Sequence, residues 1–310
     1  MTLWSTISRY GTVLVLLVAI FVYFSVSQSN FFTSANLQNM LAGLSILWVV
    51  SIGMTFVVLT GGIDLSVGAL LALSGLILSK LFNGAGIPAL VAVLLTIAIA
   101  TLIGGGVNGV LIGRAGLSFF VVTLGTMSIY FGIVNIWSKT QTSYVNSSLV
   151  DGIGYGKGLG VATPIWIMIG TFVAAFVILR WTYFGRDIYA VGGNIDAARL
   201  SGIRVSRTLM AAYAVAGLCS GLAGVIQAGR LGAASPLVGQ DIPLNAAAGV
   251  LQNGLSIAGI SSFWQEVVVG AILVLAIGID RLQQNPSGRF RRRGGASAHG
   301  PTSQAEPVNE

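Results

Sequence analysis

The residues able to do nucleophilic, acid–base or metal chemistry are few, and their spacing is wrong for it. The chain has one histidine, His299, in a polar C-terminal stretch, and one cysteine, Cys219, inside an apolar run. A Ser-His-Asp triad, a His-ligated metal and a thiolate cluster each need partners this sequence lacks. Asp64 is the one carboxylate deep in the apolar half of the chain, and no second carboxylate is placed to pair with it there. Paired acid–base catalysis is therefore unsupported. Gly104-Gly105-Gly106-Val107-Asn108-Gly109 fits the GxGxxG string, but it lies in an apolar run rather than between a strand and a soluble helix, so a dinucleotide site is rejected. Nothing matches GxxxxGK[ST], so ATP chemistry, if this protein uses it, belongs to a separate chain. The expected protein is not an enzyme and needs no cofactor or metal. Two polar residues keep functional readings beside structural ones. Asp64 either caps the helix that follows it or lies near a translocation path, since intramembrane carboxylates are costly and usually functional. Asn108 either faces that path or makes an interhelical hydrogen bond. The spacings Gly105/Gly109 and Gly109/Gly113 favour close helix packing.

The elements that must hold these residues are membrane spans. Only 8% of the 310 residues are charged, 55% are hydrophobic and the mean hydropathy is +0.87. A soluble domain carries about 25% charged residues. A hydrocarbon core takes about 20 apolar residues per helix, which predicts spans near 11–27, 40–59, 65–82, 87–112, 117–137, 163–180 and 208–228. Two further candidates lie near 243–260 and 264–280. The fold class is all-α, a polytopic transmembrane bundle of about 8–9 hydrophobic segments. The first segment is read as a retained helix rather than a signal peptide.

Charge orients the bundle. With the N-terminus in the cytoplasm, the cytoplasmic side collects Arg9, Arg114, Arg180, Arg186, Arg199, Arg204 and Arg207, and a cytoplasmic tail adds Arg281, Arg289, Arg291, Arg292 and Arg293. Only Lys80, Lys139, Lys157 and Arg230 remain outside. The opposite orientation inverts a bias that membrane insertion respects. One problem of parity follows. After the span at 208–228 the chain is outside, so two further crossings would leave the Arg-rich tail outside and one would leave it inside. Segment 243–260, with Asn245, Gln252 and Asn253, is the weaker candidate. Composition predicts a disordered basic tail over 286–310 that touches anionic lipid headgroups; nucleic acid is not an expected partner. Asn36, Gln38 and Asn39 precede the second span on the outer side, as a solvated loop end or beside a docked protein.

The cytoplasmic loop 181–207 carries the strongest local signal. Asn194 is a suitable helix N-cap, Asp196 falls in the first turn where the dipole favours an anion, and Gly202 sits just past the end. Gly192 and Gly193 precede it as an expected hinge. Ala197, Ala198 and Leu200 lie between the caps with Arg199. A short capped helix carried on such a loop reads as a docking element; the plainer alternative is a basic loop that only fixes topology.

At this loop a family resemblance enters. Gly185-Arg186-Asp187-Ile188-Tyr189-Ala190-Val191-Gly192-Gly193-Asn194-Ile195-Asp196-Ala197-Ala198-Arg199-Leu200-Ser201-Gly202-Ile203 resembles the coupling loop of ABC importer permeases of the ribose-type sugar family. Thr60-Gly61-Gly62-Ile63-Asp64-Leu65-Ser66-Val67-Gly68 resembles a signature of that family near its third hydrophobic segment, and Ser261-Ser262-Phe263-Trp264-Gln265 resembles the start of its last helix. The resemblance runs from about residue 10 to 285, in the family's order. It implies a transmembrane permease domain over 1–285 in a bacterial inner membrane and a second permease subunit, identical or paralogous. It also implies an extracytoplasmic sugar-binding protein, and a cytoplasmic ATPase that grips the helix at 194–202. Gly185, Arg186, Gly192, Gly193, Asn194, Asp196, Ala197, Ala198, Arg199 and Gly202 are then the coupling residues. The cargo is a ribose-like monosaccharide, with a nucleoside, a branched-chain amino acid or a signalling furanose as alternatives.

The sequence departs from that pattern in one place. Gly239-Gln240-Asp241 should be followed by a further hydrophobic stretch, a glycine-rich turn and another helix before the Asn253-Gly254 segment. Here Ile242-Pro243-Leu244-Asn245-Ala246 runs directly into it. About 30 residues are expected to be missing near Ala246, about one span with its turn, and the parity problem falls at the same place. An internally shortened, non-transporting remnant is the reading this leaves open.

Overall fold

The computed structural model describes residues 18–239 together with Ser261 and Trp264. Its long elements are set by apolar length: α2 (Ser34–Leu59), α3 (Val67–Ser79, continued by a π turn Lys80–Gly84), α4 (Ala89–Ile103), α6 (Phe119–Ser138), α8 (Thr163–Trp181) and α11 (Val205–Leu231). Among the described residues six helical stretches are long and apolar enough to cross a membrane; a shorter apolar helix, α1 (Val18–Ser27), precedes them. A π turn, Gly104–Asn108, joins α4 to α5 (Gly109–Gly113), so that stretch crosses as one. The expected spans between residues 40 and 228 are all present, with ends shifted by a few residues. The candidates at 243–260 and 264–280, the region of Ala246 and the tail 286–310 lie outside the described residues.

Helix α11 is the centre of the bundle. Its buried positions include Ala212, Ala216, Gly217, Cys219, Ser220, Gly221, Ala223 and Gly224, small enough for neighbouring backbones to approach. A Cβ at Gly217 would stand 2.4 Å from the Ala100 carbonyl oxygen, and one at Gly224 would stand 2.6 Å from that of Leu71. The stripe Gly105, Gly109 and Gly113 faces the same helix, against Ala214, Met210 and Ser206. Close packing through small residues replaces the hydrophobic effect, which gives little drive inside lipid.

The two ends of the bundle differ. At one end Gly192 meets the Leu59 backbone and Gly113 meets Ser206. The short helices α9 (Tyr183–Gly193) and α10 (Ile195–Leu200) lie there, between α8 and α11. Arg114, Arg180, Arg186, Arg199, Arg204 and Arg207 belong to this end. At the other end β1 (Ser143–Tyr144) pairs antiparallel with β4 (Ala233–Ala234), and β2 (Lys157–Gly158) with β3 (Val161–Ala162). Helix α7 (Ser148–Tyr155) covers the end of α11, with the backbones of Gly154 and Gly229 in contact. Lys80, Lys139, Lys157 and Arg230 belong here, and Arg230 donates 3.0 Å to Asn39 Oδ1. The division expected from charge is thus the division of the bundle into its two ends.

The path after α11 corrects the expectation that the chain simply emerges on the outer side. Once β4 has paired with β1, the chain doubles back beside α3. Ala234 lies beside Gly75, and the backbones of Gly239 and Gly68 are in contact. Ser79, near the C-terminal end of α3, is 2.6 Å from Ser143 on β1. Gly68 lies eleven residues back along that stretch, about 16 Å of helix. The segment 233–239 therefore re-enters between helices. Non-helical backbone at that depth needs protein or a water-lined cavity around it: Ala233, Ala234 and Pro236 are buried, Val238 and Gly239 half-buried, and Leu237 is exposed.

Candidate functional site

At the arginine-rich end the chain leaves α8 through Thr182. Its hydroxyl donates back to the Ile178 carbonyl and accepts from the Gly185 N–H at 3.1 Å, capping α9. Gly185 is held against the carbonyls of Ile178 and Leu179, an approach no Cβ allows. Helix α9 buries Gly185, Ile188 and Val191 at a spacing of three and exposes Arg186, whose guanidinium lies 4.2 Å above the Tyr183 ring. Ile188 packs with Ile52, Phe56 and Ala212, and Phe56 stacks on Phe184. Sequence reasoning found one helix in this loop where the structure has two. The burial spacing of α9 was available as a signal, but its polar and glycine content concealed it.

Gly192 and Gly193 do not form the expected hinge: both are helical, the last two residues of α9. Their environments are opposite. Gly192 lies against the Leu59 carbonyl, while nothing lies within 4 Å of a Cβ built at Gly193. The glycine at 192 serves close approach between α9 and the end of α2.

Helix α10 has the caps its sequence indicates. Asn194 Oδ1 accepts from the Ala197 N–H at 2.9 Å. At the other end Gly202 takes φ +83°, with Gly202 N–H donating to Arg199 O and Ile203 N–H to Ala198 O. Asp196 and Arg199 form an exposed ion pair at 3.6 Å. Ala198 is buried against Val191 and Val205, so α10 rests on α9 and on the start of α11. Its other side projects: Leu200 is 89% exposed. Arg114, Arg199, Arg204 and Arg207 surround a cavity of about 400 Å³ beside it. The arrangement is a capped projection with a basic rim, resting on α9 and the start of α11.

The second constellation is buried. Asp64 Oδ1 accepts from Ser66 N–H at 2.9 Å and from Ser66 Oγ at 2.6 Å. Ser66 is the N-cap position of α3, so Asp64 holds the turn ahead of the helix rather than the helix's own first amides. Asn108 Nδ2 donates to Ser66 Oγ at 2.8 Å. All three side chains are buried. Asn108 sits in the π turn between α4 and α5, and π turns recur at functional sites. The sequence singled out Asp64 and Asn108 separately; the structure joins them through Ser66. Asn108 Oδ1 and the nearby Tyr130 hydroxyl have no hydrogen-bond partner among the described residues. Tyr213 donates to the Ile63 carbonyl at 3.4 Å, fixing the same turn from α11.

Among the described residues, six apolar helices, a re-entrant segment and a capped projection at one end are the architecture of a multi-pass membrane protein. The chain belongs to the family described as branched-chain amino acid transport system / permease component, which matches residues 36–277. Its relatives are transport permeases. It is 36% identical to the ribose import permease protein RbsC of Escherichia coli (strain K12), over 87% of this chain and 93% of that one. It is 35% identical to RbsC of Bacillus subtilis (strain 168), over 83% and 88%. It is 32% identical to the D-allose transport system permease protein AlsC of Escherichia coli (strain K12), over 88% and 92%. No solved structure matches. The first of these alignments is 301 positions long yet takes in 87% of the 310 residues here, about 270, so about 30 of its positions have no residue in this chain.

Proposed function

We propose that this chain is the membrane-spanning permease subunit of an ATP-driven importer for a ribose-like monosaccharide. A soluble extracytoplasmic binding protein delivers the sugar, and two permease subunits line one path through the inner membrane. The N-terminus and the arginine-rich end face the cytoplasm. There an ATPase on a separate chain grips the helix at 194–202, and its closure moves that helix against α9, α2 and α11. The observation that carries this reading is the capped projection itself: an exposed leucine and a basic rim on a helix whose opposite side is packed into the bundle. The names of the relatives, ribose and D-allose permeases, support the cargo class. Asp64 and Asn108, joined through Ser66, would fix the break between α2 and α3 beside the path. The permease does no covalent chemistry, and its contacts with the sugar must be weak enough to release what they admit. The test is sugar uptake by proteoliposomes holding this chain, its ATPase and its binding protein. Uptake of ribose or allose that stops without ATP supports the reading; uptake only of an amino acid or nucleoside replaces the cargo.

The alignment shortfall favours a second reading, a shortened chain that no longer transports. We place the gap near Ala246, where the sequence pattern breaks. Uptake by the chain as it stands, compared with a version carrying the corresponding segment of a relative, decides between the two. Equal uptake by both sinks the idea that the gap matters.

A further inference from the structure

An apolar cleft opens between α2, α8 and α9, with a volume of about 470 Å³. Ile52 and Phe56 form its buried floor, and the half-exposed rings of Phe172 and Phe176 form a wall. At one end stand Arg180, in the last turn of α8, and Arg186 on α9. Depth follows from helix length. The 19 residues of α8 span about 28 Å, close to the thickness of a hydrocarbon core, so its last turn lies at headgroup level. Phe172 lies two turns deeper, about 12 Å into the hydrocarbon. The only ion pair among the described residues joins Asp196 and Arg199, so no described carboxylate lies within salt-bridge distance of Arg180 or Arg186.

We infer that this cleft binds one anionic phospholipid of the leaflet at the arginine-rich end, its acyl chain along Phe172 and Phe176 and its phosphate between Arg180 and Arg186. Charge complementarity selects the occupant. An apolar helix of another protein would leave both guanidinium charges without an anion, whereas a phosphate on an acyl tail satisfies both ends of the cleft. Arginine suits the task because its planar fork pairs with two phosphate oxygens. Arg186 sits on the helix that supports α10, so an occupied cleft holds α9 against α2. Lipid composition thereby regulates coupling. The site rests on the proposed orientation but on no particular cargo.

The test uses the purified full-length chain in detergent, without ATPase or sugar, and native mass spectrometry of retained phosphatidylglycerol against phosphatidylcholine with matched chains. Near a membrane surface each arginine contributes about a fivefold preference for anionic lipid. Wild type should retain phosphatidylglycerol about 30-fold in preference, R180Q or R186Q about fivefold, and the double variant equally with phosphatidylcholine. Both positions are exposed, and a thermal unfolding curve shows whether each variant is folded. No preference in wild type, or an undiminished preference in the double variant, overturns the site. A disulfide between two copies carrying Phe172→Cys also overturns it, by showing that a second subunit covers the cleft; Cys219 is buried and does not interfere.

Discussion

Adjacent glycines at the end of α9 should behave in opposite ways. A Cβ added at Gly192 would stand 1.9 Å from the Leu59 carbonyl oxygen and 3.0 Å from its carbon. Carbon approaches a carbonyl oxygen no closer than about 3.3 Å, so Gly192→Ala must part the two backbones by about 1.4 Å. Neither obstructing atom is the end of a flexible side chain. The displacement passes into α9 as a unit and, through Val191 and Ala198, into α10. Overpacking of this kind costs about 1–3 kcal/mol, and alanine's better helix propensity returns at most about 1 kcal/mol. Gly193→Ala meets nothing within 4 Å and should cost nothing, or stabilise slightly. The assay is sugar-stimulated ATP hydrolysis by the reconstituted importer, with thermal unfolding of the permease measured beside it. Coupling energies between sites are about 1–3 kcal/mol, or roughly 5- to 150-fold, so G192A should lower stimulation by at least about fivefold and G193A should match wild type. If G192A couples and unfolds like wild type, the contact with Leu59 does not hold α9. If both variants fail alike, the two glycines act as a hinge and the close-approach account is wrong.

Other substitutions test the same geometry from other sides. Gly202→Val places a β-branched residue at φ +83°, which costs about 1–2 kcal/mol, and should uncouple ATP hydrolysis from uptake; wild-type coupling would argue against docking at 194–202. Leu200→Glu changes a side chain that is 89% exposed, so thermal unfolding should not change while co-purification of the ATPase is lost; retained co-purification would show that the ATPase grips elsewhere. Ser66→Ala removes the 2.6 Å bond to Asp64 and the partner of Asn108; Asp64 keeps the backbone N–H of residue 66, but the buried Asn108 amide is left unpaired at about 1–3 kcal/mol. Its unfolding temperature should fall, and an unchanged one would mean that the buried cluster does not hold the turn.

What the sequence revealed depended on how far apart the cooperating residues lie. Spans were legible because about 20 apolar residues in a row have few other fates. The caps of α10 were legible because Asn194, Asp196 and Gly202 act within a single turn of their targets. Helix α9 was not, since its buried positions 185, 188 and 191 include a glycine and lie among tyrosines and charges. The link between Asp64 and Asn108 was invisible for another reason. It passes through Ser66, 42 residues from Asn108, and requires a π turn to bring the asparagine round. Apolar periodicity carries no sign of a five-residue turn inside a run that is hydrophobic on every side.

The return of the chain along α3 changes what the missing positions mean. Counting charges alone makes the shortfall a matter of parity, one crossing too few or too many. With 233–239 already inside the bundle, its tip at Gly68 is two residues from Ser66 and so beside the Asp64–Ser66–Asn108 cluster. The described chain therefore reaches Gly239 within the bundle rather than beyond its end. A half-crossing from that depth is enough to bring an arginine-rich tail to the side that already holds Arg180, Arg186 and Arg199. The charges of the tail and the loss of about 30 positions can then coexist. We propose that a restored segment would pack around the tip of the re-entrant segment and wall it off. The comparison of uptake with and without the restored segment thus asks whether that wall is needed beside a buried carboxylate, and the orientation of the protein is no longer at stake in it.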